Sequence, residues 1–324
     1  MGSPKLGRMS RLVEDETLER IRRTLENGIE PGGLRDDAAT VAVPDGGPVV
    51  VSVDSVVDGV HVDLALCSPQ DVGWKALMGA VSDLAAMGAR PIGALVALCV
   101  PESAGRGEVT LGVMEGVAQA SQAGECPVVG GDVSSAGVLV VAVTVMGTLG
   151  GGTPVPRSGA SAGDVILLTG PCGGSAAGLR VLRSGAEAAG LGPVEASLAA
   201  AYRRPVARLA EGEAARRAGA SAMIDVSDGL ALDLHRLADA SEVGFTLDSV
   251  PAADGATLDE ALGGGEDYEL VVVIDPDRVE ASARSWADAG LRPLQRIGVV
   301  TADPTQRTLG GRPLPQLGWQ HRLG

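Results

Sequence analysis

Six aspartates stand at the ends of predicted strands or beside glycines, and any fold that buries the neighbouring apolar runs must accommodate these carboxylates. They are Asp37 in Arg35-Asp36-Asp37-Ala38, Asp54 in Ser52-Val53-Asp54-Ser55, Asp83 in Val81-Ser82-Asp83-Leu84, Asp132 after Gly130-Gly131, and Asp225 and Asp228 in Asp225-Val226-Ser227-Asp228-Gly229. Carboxylates in small, apolar surroundings are costly to bury unless something cationic meets them. Hard oxygen ligands suit Mg²⁺, which proteins commonly hold through one or two carboxylates plus substrate phosphates. The pattern points to phosphoryl transfer.

Composition narrows the fold further. A chain of 324 residues, 45 % apolar with 47 glycines and 1 phenylalanine, builds its core from Ala, Val and Leu, as tightly packed α/β proteins do, and is long enough for two domains. A net charge of −15 argues against nucleic-acid and anionic-membrane partners. Lys5 and Lys75 are the two lysines, and neither follows a glycine-rich loop, so P-loop chemistry is excluded. Cys67, Cys99, Cys126 and Cys172 are widely spaced in apolar contexts and read as small buried hydrophobes of a reducing compartment. The opening Met-Gly-Ser-Pro-Lys-Leu has no apolar signal core and no run reaches the length of a membrane span, so a cytoplasmic protein is expected.

Periodicity predicts a helix over 11–27 with Leu12, Leu18, Ile21 and Leu25 as its stripe, and a strand over Pro48–Val57. On that strand Val50, Ser52 and Asp54 share a face opposite Val49, Val51 and Val53. A helix over 70–88 carries the large stripe Trp74, Leu77, Val81 and Leu84. Beside it runs a row of small residues, Ala76 and Gly79, that ends at Asp83. A helix over 108–123, a short strand 127–129 running into Gly130-Gly131-Asp132, and a strand over 138–147 follow. The segment Gly147 to Pro156 is the clearest linker, placing a domain boundary near residue 155. The second half restarts with strand Val165–Thr169, a turn with Gly170, Gly173 and Gly174, and a helix from about Ser175. Helix is expected within 185–204, then strand Ala222–Ile224, helix 229–240 and strand Glu269–Ile274.

Two junctions admit two local readings. Asp225 to Gly229 is either a helix cap or a metal or nucleotide site at a helix N-terminus. The Gly170–Gly174 turn resembles an anion cradle, yet tight-turn geometry alone explains its glycines, and the turn is the preferred reading. In Gly263 to Glu269 a hairpin would explain the glycines but not the acids. His61 is the most informative histidine, His235 reads as structural, and His321 falls in a tail.

Taken in order, Arg35-Asp-Asp-Ala-Ala, Ser52-Val-Asp-Ser-Val-Val-Asp-Gly-Val-His61, Asp71-Val-Gly-Trp-Lys-Ala-Leu, Val81-Ser-Asp-Leu-Ala-Ala-Met-Gly-Ala89, Gly130-Gly-Asp132, Arg157-Ser-Gly-Ala, Ile224-Asp-Val-Ser-Asp-Gly-Leu230 and Gly264-Gly-Glu-Asp-Tyr-Glu-Leu270 resemble the thiamine-monophosphate kinases. The match runs from about residue 30 to the end. The resemblance implies ATP- and Mg²⁺-dependent phosphorylation of thiamine monophosphate to thiamine diphosphate by a homodimer. It implies an N-terminal α/β domain (1–155) that binds ATP and Mg²⁺ and whose sheet joins its dimer mate's. An α+β C-terminal domain (156–324) would complete the nucleotide and substrate sites. Asp37, Ser52, Val53 (through its main chain), Asp54, Asp83, Asp132, Asp225 and Asp228 would hold several Mg²⁺ ions, with Asp54, Asp83, Asp132 and Asp228 as the catalytic set. Gly131, Asp132, Arg157 and Ser227 would contact ATP, and His61, Glu266 and Trp319 would line the acceptor pocket. The chain departs from the family pattern at Arg35, Val62 and Val133, where Gly, Phe and Thr are usual; no carboxylate is lost.

The chemistry agrees with the resemblance. A phosphate monoester has a second pKa of about 6, so the acceptor is already anionic near neutral pH and needs no general base. The barrier is repulsion between two phosphates, which carboxylate-held cations relieve. Sister activities fit less well. Selenophosphate synthesis uses a reactive cysteine or selenocysteine near the N-terminus, whereas Cys67 is the first cysteine here.

Overall fold

The computed structural model describes residues 12–13, 36–43, 46–102, 106–185 and 190–323. Strands β1 (Leu12–Val13), β2 (Ala39–Val41) and β3 (Val49–Val57) precede helix α1 (Pro69–Ala86). Then come β4 (Arg90–Pro101), α2 (Arg106–Ala123), β5 (Val128–Ala136) and β6 (Val140–Thr148). The second half holds β7 (Val165–Leu168), α3 (Gly174–Arg183), α4 (Pro193–Arg203), α5 (Leu209–Ala218), β8 (Ala222–Asp225), α6 (Leu230–Ser241), β9 (Gly244–Leu247) and α7 (Leu258–Gly263). It closes with β10 (Leu270–Ile274), α8 (Val279–Asp288), β11 (Gln295–Thr301), β12 (Arg307–Leu309), β13 (Arg312–Pro313) and β14 (Arg322–Leu323).

Two sheets divide these strands. The first has the order β2-β3-β6-β4-β5, antiparallel except for the β4–β5 pair. Helices α1 and α2 cover one of its faces and pack unusually closely. A Cβ at Gly73 would lie 1.9 Å from the Val113 carbonyl oxygen, and one at Gly116 would lie 1.9 Å from that of Gln70. On the opposite face Val53 is 65 % exposed and Leu95 42 %. The second sheet, β13-β12-β9-β11-β7-β10-β8, is apolar on both sides. Ile166, Leu168, Val271 and Val273 pack against Leu230, Leu234 and Leu237 of α6, while Val165, Leu167 and Val272 face Trp286 of α8 and Ala215 of α5. Strands buried on both faces are apolar without alternation, which is why β7 and β10 read as continuous runs.

Helix α1 links the two cores. Ser68 caps it in a reciprocal capping box with Asp71, and Pro69 occupies the first turn. Its body from Val72 to Leu84 belongs to the core under the first sheet, but Ala85 and Ala86 pack with the second sheet's residues. The residues just before them, Ser82 and Asp83, are thereby fixed at the junction.

Two expectations are corrected. Leu12 and Val13 are not helical: they pair antiparallel with Leu323 and Arg322, a long-range contact invisible to a local stripe. The rest of the expected 11–27 helix lies outside the described residues, as does Arg35. The short strand expected over 127–129 is longer: β5 begins at Val128 and continues through Gly130-Gly131-Asp132 to Ala136.

Candidate active site

Four elements meet at the acidic centre. β3 presents Ser52 and Asp54 on the side where Val50 is fully buried, α1 presents Ser82 and Asp83, β8 ends in Asp225, and Asp37 lies just before β2. One carboxylate oxygen from each of Asp37, Asp83 and Asp225 lies within 4.8 Å of the others. Ser52 Oγ donates to Asp83 Oδ2 at 2.5 Å, and Ser82 Oγ donates to Asp225 Oδ2 at 2.6 Å. Two hydroxyls therefore fix the two carboxylates. Arg157 grips Asp37 through Nε (3.1 Å) and Nη2 (2.6 Å), and its main-chain N–H donates to Asp36 at 2.8 Å.

One arginine does not balance this cluster. Burial, followed by the charges of Asp225, Asp37 and Asp54, pushes the Asp83 carboxyl well above the usual range. Burial and then Asp37 do the same to Asp225. Asp225 is 1 % exposed, and its Oδ1 is buried with no hydrogen-bond partner among the described residues. A buried acceptor of this kind normally has a partner. An oxygen-rich, net-negative pocket with an unsatisfied oxygen suits a hard divalent cation.

The Asp225–Gly229 turn is not a helix cap. Asp233 Oδ2 accepts from the N–H groups of Asp228 and Gly229 at 3.0 Å each, so α6 is capped from within its own first turn. Asp225 is left to the acidic centre. Asp228 is paired with Arg236, and its carbonyl accepts from the Trp319 N–H at 2.8 Å.

A cavity of about 540 Å³ runs from this centre, past Asp54, Ser227 and Asp228, to His61, Glu266 and Trp319. The Val57 N–H donates to His61 Nδ1 at 3.1 Å, so the neutral ring carries its proton on Nε2, 3.4 Å from His321 Nε2. Burial lowers the His61 pKa and favours that neutral form. Trp319 stands edge-on to His321, with ring centroids 6.1 Å apart. Glu266 and Tyr268 adopt left-handed backbone (φ +65° and +51°), held by main-chain bonds to Ser227 and Val226. Left-handed conformations at non-glycine residues store strain and cluster at functional sites. Midway along the floor, a Cβ on Gly79 would lie 2.9 Å from the Tyr268 hydroxyl and 3.0 Å from Asp54 Oδ2.

Asp37, Ser52, Asp54, Asp83, Asp225 and Asp228 are thus gathered with Arg157 and Ser227. The side chain of Val53 points away from the site, so only its main chain faces that side. Gly131 and Asp132 stand apart: Asp132 pairs with Ala97, Ala97 with Ala142 and Ala142 with Ser55. That register puts Asp132 on the uncovered face, three strand spacings or about 14 Å from β3. The Gly170–Gly174 turn is no anion cradle, because Asp267 accepts from the Gly173 N–H (2.5 Å) and the Ser175 N–H (3.0 Å). Glu269 is held by Thr169 and Arg208 outside the cavity. His235 is structural, bonded to the Leu314 carbonyl and Arg307. Ser82, Lys75 and His321 were missed as site residues, because each is placed by a partner distant in sequence.

Comparison with known proteins follows the same division. Residues 35–149 match the family described as AIR synthase related protein, N-terminal domain, and residues 161–309 match the corresponding C-terminal domain. A thiamine-monophosphate kinase of Bacillus subtilis is 34 % identical over 86 % of this chain and 88 % of its own. One from Synechococcus elongatus is 35 % identical over 83 % and 84 %. A solved structure described as AaThiL complexed with AMPPCP and TMP is 29 % identical, covers 97 % of this chain and 100 % of its own, and superposes with a TM-score of 0.85.

Proposed function

Because the chain belongs to the thiamine-monophosphate kinase family, we propose that it transfers the γ-phosphoryl group of ATP to thiamine monophosphate, giving thiamine diphosphate. The observation that carries the reading is the polarity of the cavity, acidic with an unsatisfied Asp225 oxygen at one end and lined by His61, Glu266 and Trp319 at the other. A phosphate monoester with a cationic aromatic head is matched by both ends at once.

In this reading Asp37, Asp54, Asp83, Asp225 and Asp228, with Ser52 and the Val53 carbonyl, hold Mg²⁺, which supplies charge neutralisation between the two phosphates. Ser52 and Ser82 fix the carboxylate rotamers beforehand, the preorganisation that electrostatic catalysis requires. Arg157 and Ser227 contact the nucleotide. Glu266 and Trp319 orient the acceptor, and His61, neutral, adds no positive charge beside a cationic ring. The acceptor oxygen is already ionised, so no side chain need remove a proton, and transfer is direct and in line.

The homodimer belongs to this reading. Among the described residues β5 is an edge strand, and Val53 and Leu95 on the uncovered face are exposed in one subunit. Joining this face and edge to a second copy would cover them and carry Gly131 and Asp132 into an interface. Residues 1–155 would then supply dimerisation and most cation ligands, and residues 156–324 the rest of the nucleotide and acceptor sites.

Chromatography after mixing the protein with ATP, Mg²⁺ and thiamine monophosphate tests the reaction. Thiamine diphosphate matched by ADP, and absent without Mg²⁺, is expected; no product with tight Mg²⁺–ATP binding would assign a different acceptor. Radiolabel from γ-labelled ATP surviving on denatured protein would exclude direct transfer.

A further inference from the structure

The cavity floor contains a buried charge that none of the roles above uses. Lys75, on α1, is buried, with its side chain 1 % accessible. Its ammonium has three partners from three segments: Glu266 Oε2 at 2.6 Å, the His61 carbonyl at 3.4 Å, and the Tyr202 ring with its centroid at 4.1 Å. A buried lysine is rare unless its charge is met, and here a carboxylate, a carbonyl and a ring face meet it. Tyr202 comes from α4, His61 from the turn after β3, and Glu266 from the strained segment before β10.

Lys75, Gly79 and Asp83 recur at four-residue intervals, so they lie along one face of α1, about 12 Å from first to last. That face is the cavity floor. Asp83 serves the acidic end, Gly79 makes room in the middle, and Lys75 lies beneath the end lined by His61 and Glu266. Being wholly buried, the ammonium cannot itself touch a bound molecule. It acts through Glu266, engaging one carboxylate oxygen of a side chain that is 25 % exposed and lines the cavity. Glu266 has φ +65°, and such a residue stays in place only if several contacts hold it; its main-chain bond to Ser227 is one and the bond from Lys75 is the other.

We propose that Lys75 is a positioning residue for the acceptor: by clamping Glu266 and the His61 main chain from below, it sets where the acceptor's ring end is held, and so governs acceptor affinity rather than nucleotide affinity. The inference rests on the kinase reading above, and the two are separable in one assay. Wild-type turnover of thiamine monophosphate tests that reading; the variants below, compared with wild type, test the role of Lys75. If the wild type neither turns over nor binds thiamine monophosphate, both fall together.

The variants are Lys75→Met, which keeps volume and removes charge, Glu266→Gln, and the two combined. Lys75→Met is expected to raise KM for thiamine monophosphate about tenfold or more while KM for ATP stays within about twofold. The combined variant is expected to be little worse in acceptor KM than Glu266→Gln alone, since the short, charge-assisted bond to the carboxylate is already lost there and only the longer contact with the His61 carbonyl and a neutral bond to Gln remain for Lys75 to make. Equal rises in both KM values, or effects that multiply in the combined variant, would overturn the proposal by making Lys75 a general structural residue. Should Lys75→Met fold poorly because it strands Glu266, the combined variant removes both charges, and its ratio to Glu266→Gln still decides the matter.

Discussion

At one end of α1, Asp83 faces Asp37 and Asp225, with Arg157 bound to Asp37 as the cation at hand; eight residues earlier on the same face, Lys75 faces Glu266 at 2.6 Å. Both ends bury carboxylates. At the lysine end the charge is met within the chain, so the pair can hold a strained segment in shape. At the aspartate end charge is left over, and the cost appears as raised pKa values and an unsatisfied oxygen. Paired burial serves geometry, whereas unpaired burial is tolerated where a cation is to be bound.

Breaking the acidic end should have the largest effect. Asp54→Asn and Asp83→Asn should each lower turnover by a factor on the order of 10³, as loss of a preorganised electrostatic group does, with the circular dichroism spectrum unchanged. Full activity in Asp54→Asn would refute its place among the cation ligands. Next comes the proposed subunit contact: if the uncovered face is the interface, Leu95→Glu should weaken dimerisation roughly thirtyfold, the loss of about 2 kcal/mol at a central contact. Light scattering should show a shift to monomer; a dimer as tight as wild type would remove that face from the interface.

The comparison also has a pH signature. The raised carboxyl pKa values of Asp83 and Asp225 mean that the folded, metal-free protein binds protons more tightly there than the unfolded chain. Their contribution to stability is therefore complete below about pH 4 and is lost as pH rises through the folded-state pKa values. In EDTA, the melting temperature of wild type should fall relative to that of Asp83→Asn as pH rises from 5 to 8. Mg²⁺ should close the gap by binding the folded wild type. A gap that is flat with pH would mean the cluster is not strained by its own charge.

What the sequence made legible followed from local periodicity. Alternation along 49–57 put Ser52 and Asp54 on one face, and the structure buries Val50 on that side and exposes Val53 on the other. The small row ending at Asp83 marked the floor of the cavity. What stayed illegible depended on long-range partners. Lys75 is placed by Glu266 and Tyr202, His321 by His61, and Asp132 by a register passing through three other strands. β9 and α8 were not foreseen: Gly244–Leu247 is only four residues long, and Val279–Asp288 sets its buried Trp286 among exposed, charged positions.

The smallest expected effect tests whether the two ends really divide the work. Trp319 is 52 % exposed, and its segment is anchored by its main chain, since its N–H donates to the Asp228 carbonyl at 2.8 Å. A Cβ on the neighbouring Gly318 would lie 2.6 Å from Leu232 Cβ, so the backbone there runs hard against α6 whatever side chain follows. Trp319→Leu should therefore leave the segment in place and remove only the ring beside His321. About a threefold rise in acceptor KM with unchanged kcat is expected, the loss of a partly solvated aromatic contact. If kcat fell instead with KM unchanged, Trp319 would be acting through Asp228 on the acidic end, and the ends would be coupled along the chain rather than divided along α1.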